Sequence, residues 1–344
     1  MKVDTKLALF IFMSLLIVLP AGCEKEKPTS LSCLSGSSLL NSTDKKDKAS
    51  LPLTPTSPVD QEEATSHFSF VAIGDNGCDC PAEEKIADRM LDLYNKHPYN
   101  LVLMLGDNIY GNSSNKGGDP KLFPERFDKY YKVLEDKDVK FHAALGNHDM
   151  QTNNGVYEIK DGTRFGIMGE KGYYTYTPNI KTDEKPLVAF FALNSNRMVE
   201  GKKDDEQVAW LNRALSESDA IWKIAFFHHP LYSPYGGHKP DIGFRNAIED
   251  ILIRENVQVT LAGHNHYYAR MKPQKGIIHF ISGGGGAKLR EPEPNDYTAC
   301  DADSNNFLYL EVYPEEIRFW AISPEGSTID SGTIKKETLF HSKS

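Results

Sequence analysis

The sequence predicts an α/β fold in which layered sheets are flanked by helices. Two observations carry this. Short apolar runs alternate with stretches whose apolar residues recur at helical spacing. Towards the C-terminus the helical stretches stop and apolar runs follow one another, as in β-hairpins.

The elements follow in order. Phe68 to Ile73 reads as a strand, and 81–97 as a helix with Ile86, Met90, Leu91 and Tyr94 on one face and acids at its start. Leu101 to Leu105 and Val139 to Leu145 read as strands, with a helix over Pro124 to Leu134 between them. Strands are expected at Pro186–Leu193, Trp222–Phe227, Val257–Leu261 and Ile277–Ile281. Helices are expected at Asp204–Leu215 and Phe244–Ile253. Strands at Phe307–Val312 and Ile317–Ile322 close the folded part.

The chain has 344 residues, 40% hydrophobic and 25% charged, which is ordinary for a globular protein. Its net charge of -9 lacks the basic footprint of a nucleic-acid binder, so no nucleic-acid partner is expected. A small anionic substrate stays open, because a bound metal can invert the local field.

Lys2 and Lys6 precede an apolar run from Leu7 to Leu19, which reads as a signal peptide over 1–22. Ala21 and Gly22 before Cys23 resemble a bacterial lipoprotein cleavage site, with lipid on Cys23. The alternative is a plain secretory signal; either reading exports the chain. The expected location is a bacterial membrane, periplasmic or surface-facing. Residues 23–66 are rich in Ser, Thr, Pro and Lys and read as a lipid-anchored flexible tether, which leaves 67–340 as the catalytic domain. Cys33, Cys78, Cys80 and Cys300 remain for an oxidising compartment. Cys78 and Cys80 are one residue apart with no second pair following, which discounts a zinc-finger-like site. Cys300 is expected to pair with Cys78 or Cys80, since both segments should lie over one sheet edge.

Five motifs follow strands: Gly74-Asp75-Asn76-Gly77, Gly106-Asp107-Asn108-Ile109-Tyr110, Gly146-Asn147-His148-Asp149, His228-His229-Pro230 and Gly263-His264-Asn265-His266. Ligands in open α/β sheets sit beyond the carboxyl ends of strands. Glycines there let the backbone turn sharply. Hard oxygen donors with imidazoles suit iron, zinc or manganese better than calcium. His264 and His266 are two apart, so in an extended segment they face the same side and two adjacent ions could each take one. A lone Gly-Asp is usually a turn, and a lone His-x-His is as often a surface pair. The ordered set of five is not explained that way. The Gly283–Gly286 run lacks the Gly-Lys-Ser/Thr of a P-loop and reads as a tight turn at the site rim.

The set and its order resemble the purple acid phosphatases of the metallophosphoesterase superfamily, especially the small tartrate-resistant type. The likeness runs from about Phe68 to Tyr313, with Ala225 standing where that pattern has Val. The fold it implies is a layered β-sandwich of mixed sheets flanked by helices. The ligands it implies are Asp75, Tyr110 and His266 for one metal, Asn147, His228 and His264 for the other, and Asp107 bridging. It implies Fe(III) beside the tyrosine and Fe(II), Zn or Mn in the second position. A tyrosine holds to this picture, since a phenol near pKa 10 needs a strongly Lewis-acidic ion to bind as phenolate. His229 reads as packed or supporting, because neighbouring strand residues face opposite sides. The expected reaction is acid phosphatase chemistry on a small phosphate ester, by in-line attack of a metal-activated hydroxide. His148 is the expected proton donor to the leaving group and His238 a second active-site histidine. Asp149 either orients His148 or caps the next turn. A phosphodiesterase or nucleotidase of the same superfamily, and a non-catalytic phosphate-binding lipoprotein, are the competing readings. The oligomeric state is not readable from the sequence.

Overall fold

The computed structural model describes residues 67–336. The expected signal peptide, the tether with Cys23 and Cys33, and residues 337–340 lie outside them. Among the described residues no helix is long and apolar enough to cross a membrane.

The chain begins with β1 (Phe68–Ile73), α1 (Pro81–Lys96), β2 (Leu101–Met104), α2 (Lys129–Glu135), β3 (Lys140–Ala143) and α3 (Val156–Lys160). Next come β4 (Tyr174–Tyr176), a small hairpin of β5 (Lys181–Thr182) and β6 (Lys185–Pro186), β7 (Val188–Ala192), α4 (Asp205–Glu217), β8 (Trp222–Phe226) and α5 (Ile242–Arg254). The rest is β9 (Val259–Ala262), β10 (Tyr268–Met271), β11 (Ile278–Ser282), β12 (Thr298–Ala302), β13 (Phe307–Val312), β14 (Glu316–Ile322) and β15 (Thr328–Lys335).

Helix ends follow local chemistry. Pro81 opens α1, with Glu83 and Glu84 in its first turn and Lys96 in its last, each matching the helix dipole. Asp204 and Asp241 cap α4 and α5 by accepting from Gln207 N at 3.1 Å and Phe244 N at 2.8 Å. The helix expected over Pro124–Leu134 divides into a π-helical turn, Pro124–Asp128, and α2.

Two mixed sheets form. The first runs β15-β14-β13-β1-β2-β3 and the second β12-β10-β11-β9-β8-β7-β4. In the first, β1, β2 and β3 are parallel and β13 turns antiparallel against β1. In the second, β7, β8, β9 and β11 are parallel, with antiparallel strands at both edges. The central parallel strands β1 and β7 are buried on both faces, which is why they read as largely apolar runs.

The sheets face each other as a β-sandwich. Phe190 of β7 meets Phe70 of β1 edge-on at 5.0 Å and Phe68 at 6.1 Å. Each such ring contributes on the order of 1.5–3 kcal/mol by burial. A second core lies between the other face of the second sheet and α4 and α5, built from Phe191, Phe227, Leu211, Leu215, Phe244 and Ile248. This packing brings the carboxyl ends of β1, β2, β3, β8 and β9 to one seam.

Candidate metal centre

The seam gathers every sequence-predicted ligand. Three of the residues that turn there have left-handed backbones without being glycine: Asp75 at φ 59°, Asp107 at φ 55° and His264 at φ 69°. Such conformations cost energy and persist where surrounding structure fixes them. The backbone at Gly146 leaves no room for a side chain, since a Cβ would fall 2.2 Å from Asp107 Oδ1.

Asp75, Tyr110 and His266 form one group. The Tyr110 hydroxyl lies 3.2 Å from Asp75 Oδ1 and 3.2 Å from His266 Nε2, and His266 Nε2 is 3.3 Å from Asp75 Oδ1. His266 Nδ1 is 2.8 Å from Lys288 O, so Nδ1 carries the proton and Nε2 is the nitrogen turned to the group.

Asn147, His228 and His264 form the other. His228 Nε2 is 3.1 Å from Asn147 Oδ1 and 3.2 Å from His264 Nδ1. His228 Nδ1 sits 3.0 Å from Leu105 O, which again leaves Nε2 for the site. Asp107 joins the two groups: ligand atoms of Asp75, Asp107 and His266 lie within 4.8 Å of one another, and Asp107 Oδ1 is 3.5 Å from His228 Nε2. Asn147 is exposed while Asp75, Asp107 and His228 are buried, so the site opens on the Asn147 side.

The electrostatics fit a cation. Burial and the negative charges of Asp75 and Asp107 push the Tyr110 phenol well above its usual range. A phenolate there needs a strongly charged ion to offset both carboxylates. Burial and the neighbouring His228 and His229 hold His264 well below the usual imidazole range, so it is neutral and a ready ligand. Burial alone would lower His228, but Asp107 outweighs it and pushes it up to about 9. Two buried carboxylates, a phenol, an amide oxygen and three imidazoles, of which His228 and His266 have their other nitrogen anchored on a carbonyl, make a donor set that suits hard-to-borderline metal ions.

The two histidines of the Gly263-His264-Asn265-His266 motif reach different groups, as expected, but not by extended geometry. The segment bends at the left-handed His264, and it is this bend, not an extended alternation, that sends the two rings to different groups. Asn265 between them was missed: it accepts from His238 N at 2.6 Å and donates to His238 O at 3.1 Å. That clamp stacks the His238 ring on His264 at 4.2 Å. Burial and the charge of Arg290 lower His238 below the ordinary imidazole range. His148 lies with its ring 4.4 Å from that of Tyr110, and Gln151 Nε2 is 3.1 Å from its Nδ1. Asp149 does not orient it. Its carboxylate accepts from Gly146 N at 2.7 Å, Ile109 N at 2.9 Å and Asn108 N at 3.2 Å, tying two ligand loops together. His229 pairs with Ser195 Oγ at 2.8 Å, behind the site.

The cysteine expectation is overturned. Cys78 is disulfide-bonded to Cys80. Cys300, itself disulfide-bonded, sits on the edge strand β12 opposite Arg270.

Residues 68–268 match the family model described as calcineurin-like phosphoesterase. The chain belongs to that family. Its chemistry is metal-dependent hydrolysis of phosphate esters. Rabbit (Oryctolagus cuniculus) tartrate-resistant acid phosphatase type 5 is 24% identical over 80% of this chain and 93% of its own length. Purple acid phosphatase 3 of Arabidopsis thaliana is 25% identical over 73% of each chain. Among solved structures, the purple acid phosphatase from yellow lupin (Lupinus luteus) seeds overlays with a TM-score of 0.62 at 19% identity, covering 80% of this chain and 55% of that one. Plasmodium GAP50, described as the anchor in the inner membrane complex, overlays with a TM-score of 0.68 at 17% identity, covering 78% and 89%. The predicted resemblance to purple acid phosphatases and the α/β sandwich both hold.

Proposed function

We propose that the protein is an acid phosphatase that hydrolyses phosphate monoesters at a two-metal centre, with Fe(III) beside Tyr110 and Fe(II), Zn or Mn on the His228 side. The supporting observation is the Tyr110 hydroxyl at 3.2 Å from both Asp75 Oδ1 and His266 Nε2. Asp75, Tyr110 and His266 would hold one ion, Asn147, His228 and His264 the other, and Asp107 both. The chemistry such a pair supplies is Lewis acidity towards phosphate oxygens and a lowered pKa of water.

The chain's own groups do the rest. The exposed Asn147 edge admits the ester. His148, with Nδ1 engaged by Gln151, keeps Nε2 to hold the proton that the departing alkoxide takes. His238, clamped by Asn265 over His264, lines the same mouth and orients the phosphate. Lys288 and Leu105 carbonyls keep His266 and His228 in the tautomers their roles require.

The fold likeness to an anchor protein makes a non-catalytic role the contrasting reading. The complete set of donor side chains supports catalysis here. The test is turnover of an aryl phosphate monoester and its diester by purified protein, before and after chelation. Metal-dependent turnover that favours the monoester is expected. Preference for the diester would move the activity to the sibling enzymes, and no turnover with metals loaded would leave the anchor reading. Export with lipid on Cys23 belongs to the same proposal. Cys23→Ser should move the protein from the membrane to the soluble fraction, and unchanged membrane partition would remove it.

A further inference from the structure

The segment between Asp75 and α1 carries chemistry that hydrolysis does not use. Cys78 and Cys80 are bridged across one residue, Asp79. Both are half-buried, whereas Cys300 is fully buried. A bridge closing so short a loop removes little entropy from the unfolded chain, so fold stability is a weak reason for it.

Three features favour its opening. Cys80 is the N-cap of the 16-residue α1, and the positive end of a helix stabilises charge on a sulfur that leaves as thiolate. Arg126 donates to Cys78 O and lies 3.8 Å from Asp79, which sets a guanidinium beside the pair. Cys80 Sγ is also 3.1 Å from Gly286 O, a carbonyl ready to accept from a Cys80 thiol.

The bridge touches what holds the metal-side loops. A Cβ at Gly286 would lie 2.9 Å from Cys78 Sγ, so the two segments are in close contact. The flanking Gly285 N and Ala287 N donate to Gly74 O and Asp75 O, each at 3.0 Å. Gly77 N donates to Asp107 O at 3.3 Å, and Tyr110 N to Gly77 O at 2.8 Å. Any shift at Cys78 is therefore passed to the backbones of Asp75, Asp107 and Tyr110.

We propose that Cys78–Cys80 is a redox-active pair that exchanges with dithiols, and that its state sets how firmly the Asp75 and Asp107 loops are held. A thiolate of the dithiol attacks Cys78 Sγ, the S–S bond breaks, and Cys80 leaves as thiolate at the helix end. The second thiolate of the dithiol then displaces Cys78 and closes a cyclic disulfide. Two electrons pass to the protein, and the two protons lost by the dithiol end on Cys78 and Cys80. Only the consequence for metal affinity rests on the proposed two-metal centre.

The exchange is tested on the native holoprotein with graded dithiothreitol, thiol alkylation and peptide mass mapping. Cys78 and Cys80 should be alkylated together while Cys300 stays protected until denaturant is added. Protection of all three until unfolding, or simultaneous labelling of all three, would overturn redox activity at this site. The coupling is tested without a reductant, which could itself bind metal, in a Cys78→Ser/Cys80→Ser double variant. Chelator competition should show metal affinity weakened on the order of 10-fold, the lower end for loss of supporting contacts. Amide exchange over 74–77 and 107–110 should quicken as well. Unchanged affinity with unchanged exchange would refute the coupling. A wild-type protein that binds no metal would sink the hydrolytic proposal, while the labelling and exchange readouts would still decide this one.

Discussion

The two sheets meet the site with different atoms. Loops after β1, β2 and β3 carry oxygen donors: Asp75, Asp107, Tyr110 and Asn147. Loops after β8 and β9 carry imidazoles: His228, His264 and His266. Neither sheet holds a site alone. The first by itself buries carboxylates without an offsetting charge, and the second crowds imidazoles, so that burial and His228 hold His264 below its usual range. The site exists because the sandwich closes, so its chemistry and the packing of the sheets are linked.

The sharpest way to break that link is at Asp107, the residue that touches both groups. Asp107→Ala should reduce turnover to background and lower the content of both metals, read by a kinetic assay with elemental analysis. Retention of full turnover with two metals would refute the bridging role. His148→Ala acts on the proton and not on the sheets. Turnover should fall about 10²–10⁴-fold with metal content unchanged. A parallel loss of metal would make His148 part of the donor set instead.

Phe190→Ala tests the seam from the far side. It removes the ring that meets Phe68 and Phe70 across the sandwich and should cost about 3–5 kcal/mol in denaturant unfolding. A cost below about 1 kcal/mol would show that the sheets do not depend on this contact. The smallest effect concerns pH. His279 of β11 is fully buried beside Thr260 Oγ1 at 2.7 Å, and burial lowers it to about 3. Its unfolded form takes a proton below about 6.5 while the folded form does not. Stability is therefore full above that pH and is lost as pH falls towards 3. His279→Gln should flatten part of that slope in unfolding measured between pH 7 and 4, and an unchanged slope would assign it elsewhere.

Much of this was legible in the sequence where burial is two-sided. β1 and β13 are apolar but for Ser69 and Glu311, and their bounds match the expected runs. The loops that gather at the seam were legible because Gly-Asp and Gly-Asn-His punctuation follows such runs. The edge strands were not. β12, Thr-Ala-Cys-Asp-Ala, and β15, with Asp330, Ser331 and Gly332, carry little apolar signal and are strands because β10 and β14 pair with them. The same limit misled the cysteines, since Cys300 lies on β12, which the sequence did not reveal. Asn265 and Asp149 were invisible as clamps because their partners, His238 and the loop amides, are close only in space. The alternation of Asn265 between two histidines was the one available signal.

The most direct measurement is elemental analysis of the purified protein with its visible spectrum, on wild type and Tyr110→Phe. Wild type should hold two metal ions per chain, one of them iron, and absorb visible light through phenolate-to-iron charge transfer. Tyr110→Phe should lose that band while keeping metal and some hydrolysis, because Asp75, Asp107 and His266 remain. One ion per chain, an iron-loaded protein without the band, or a band that survives Tyr110→Phe would contradict the account.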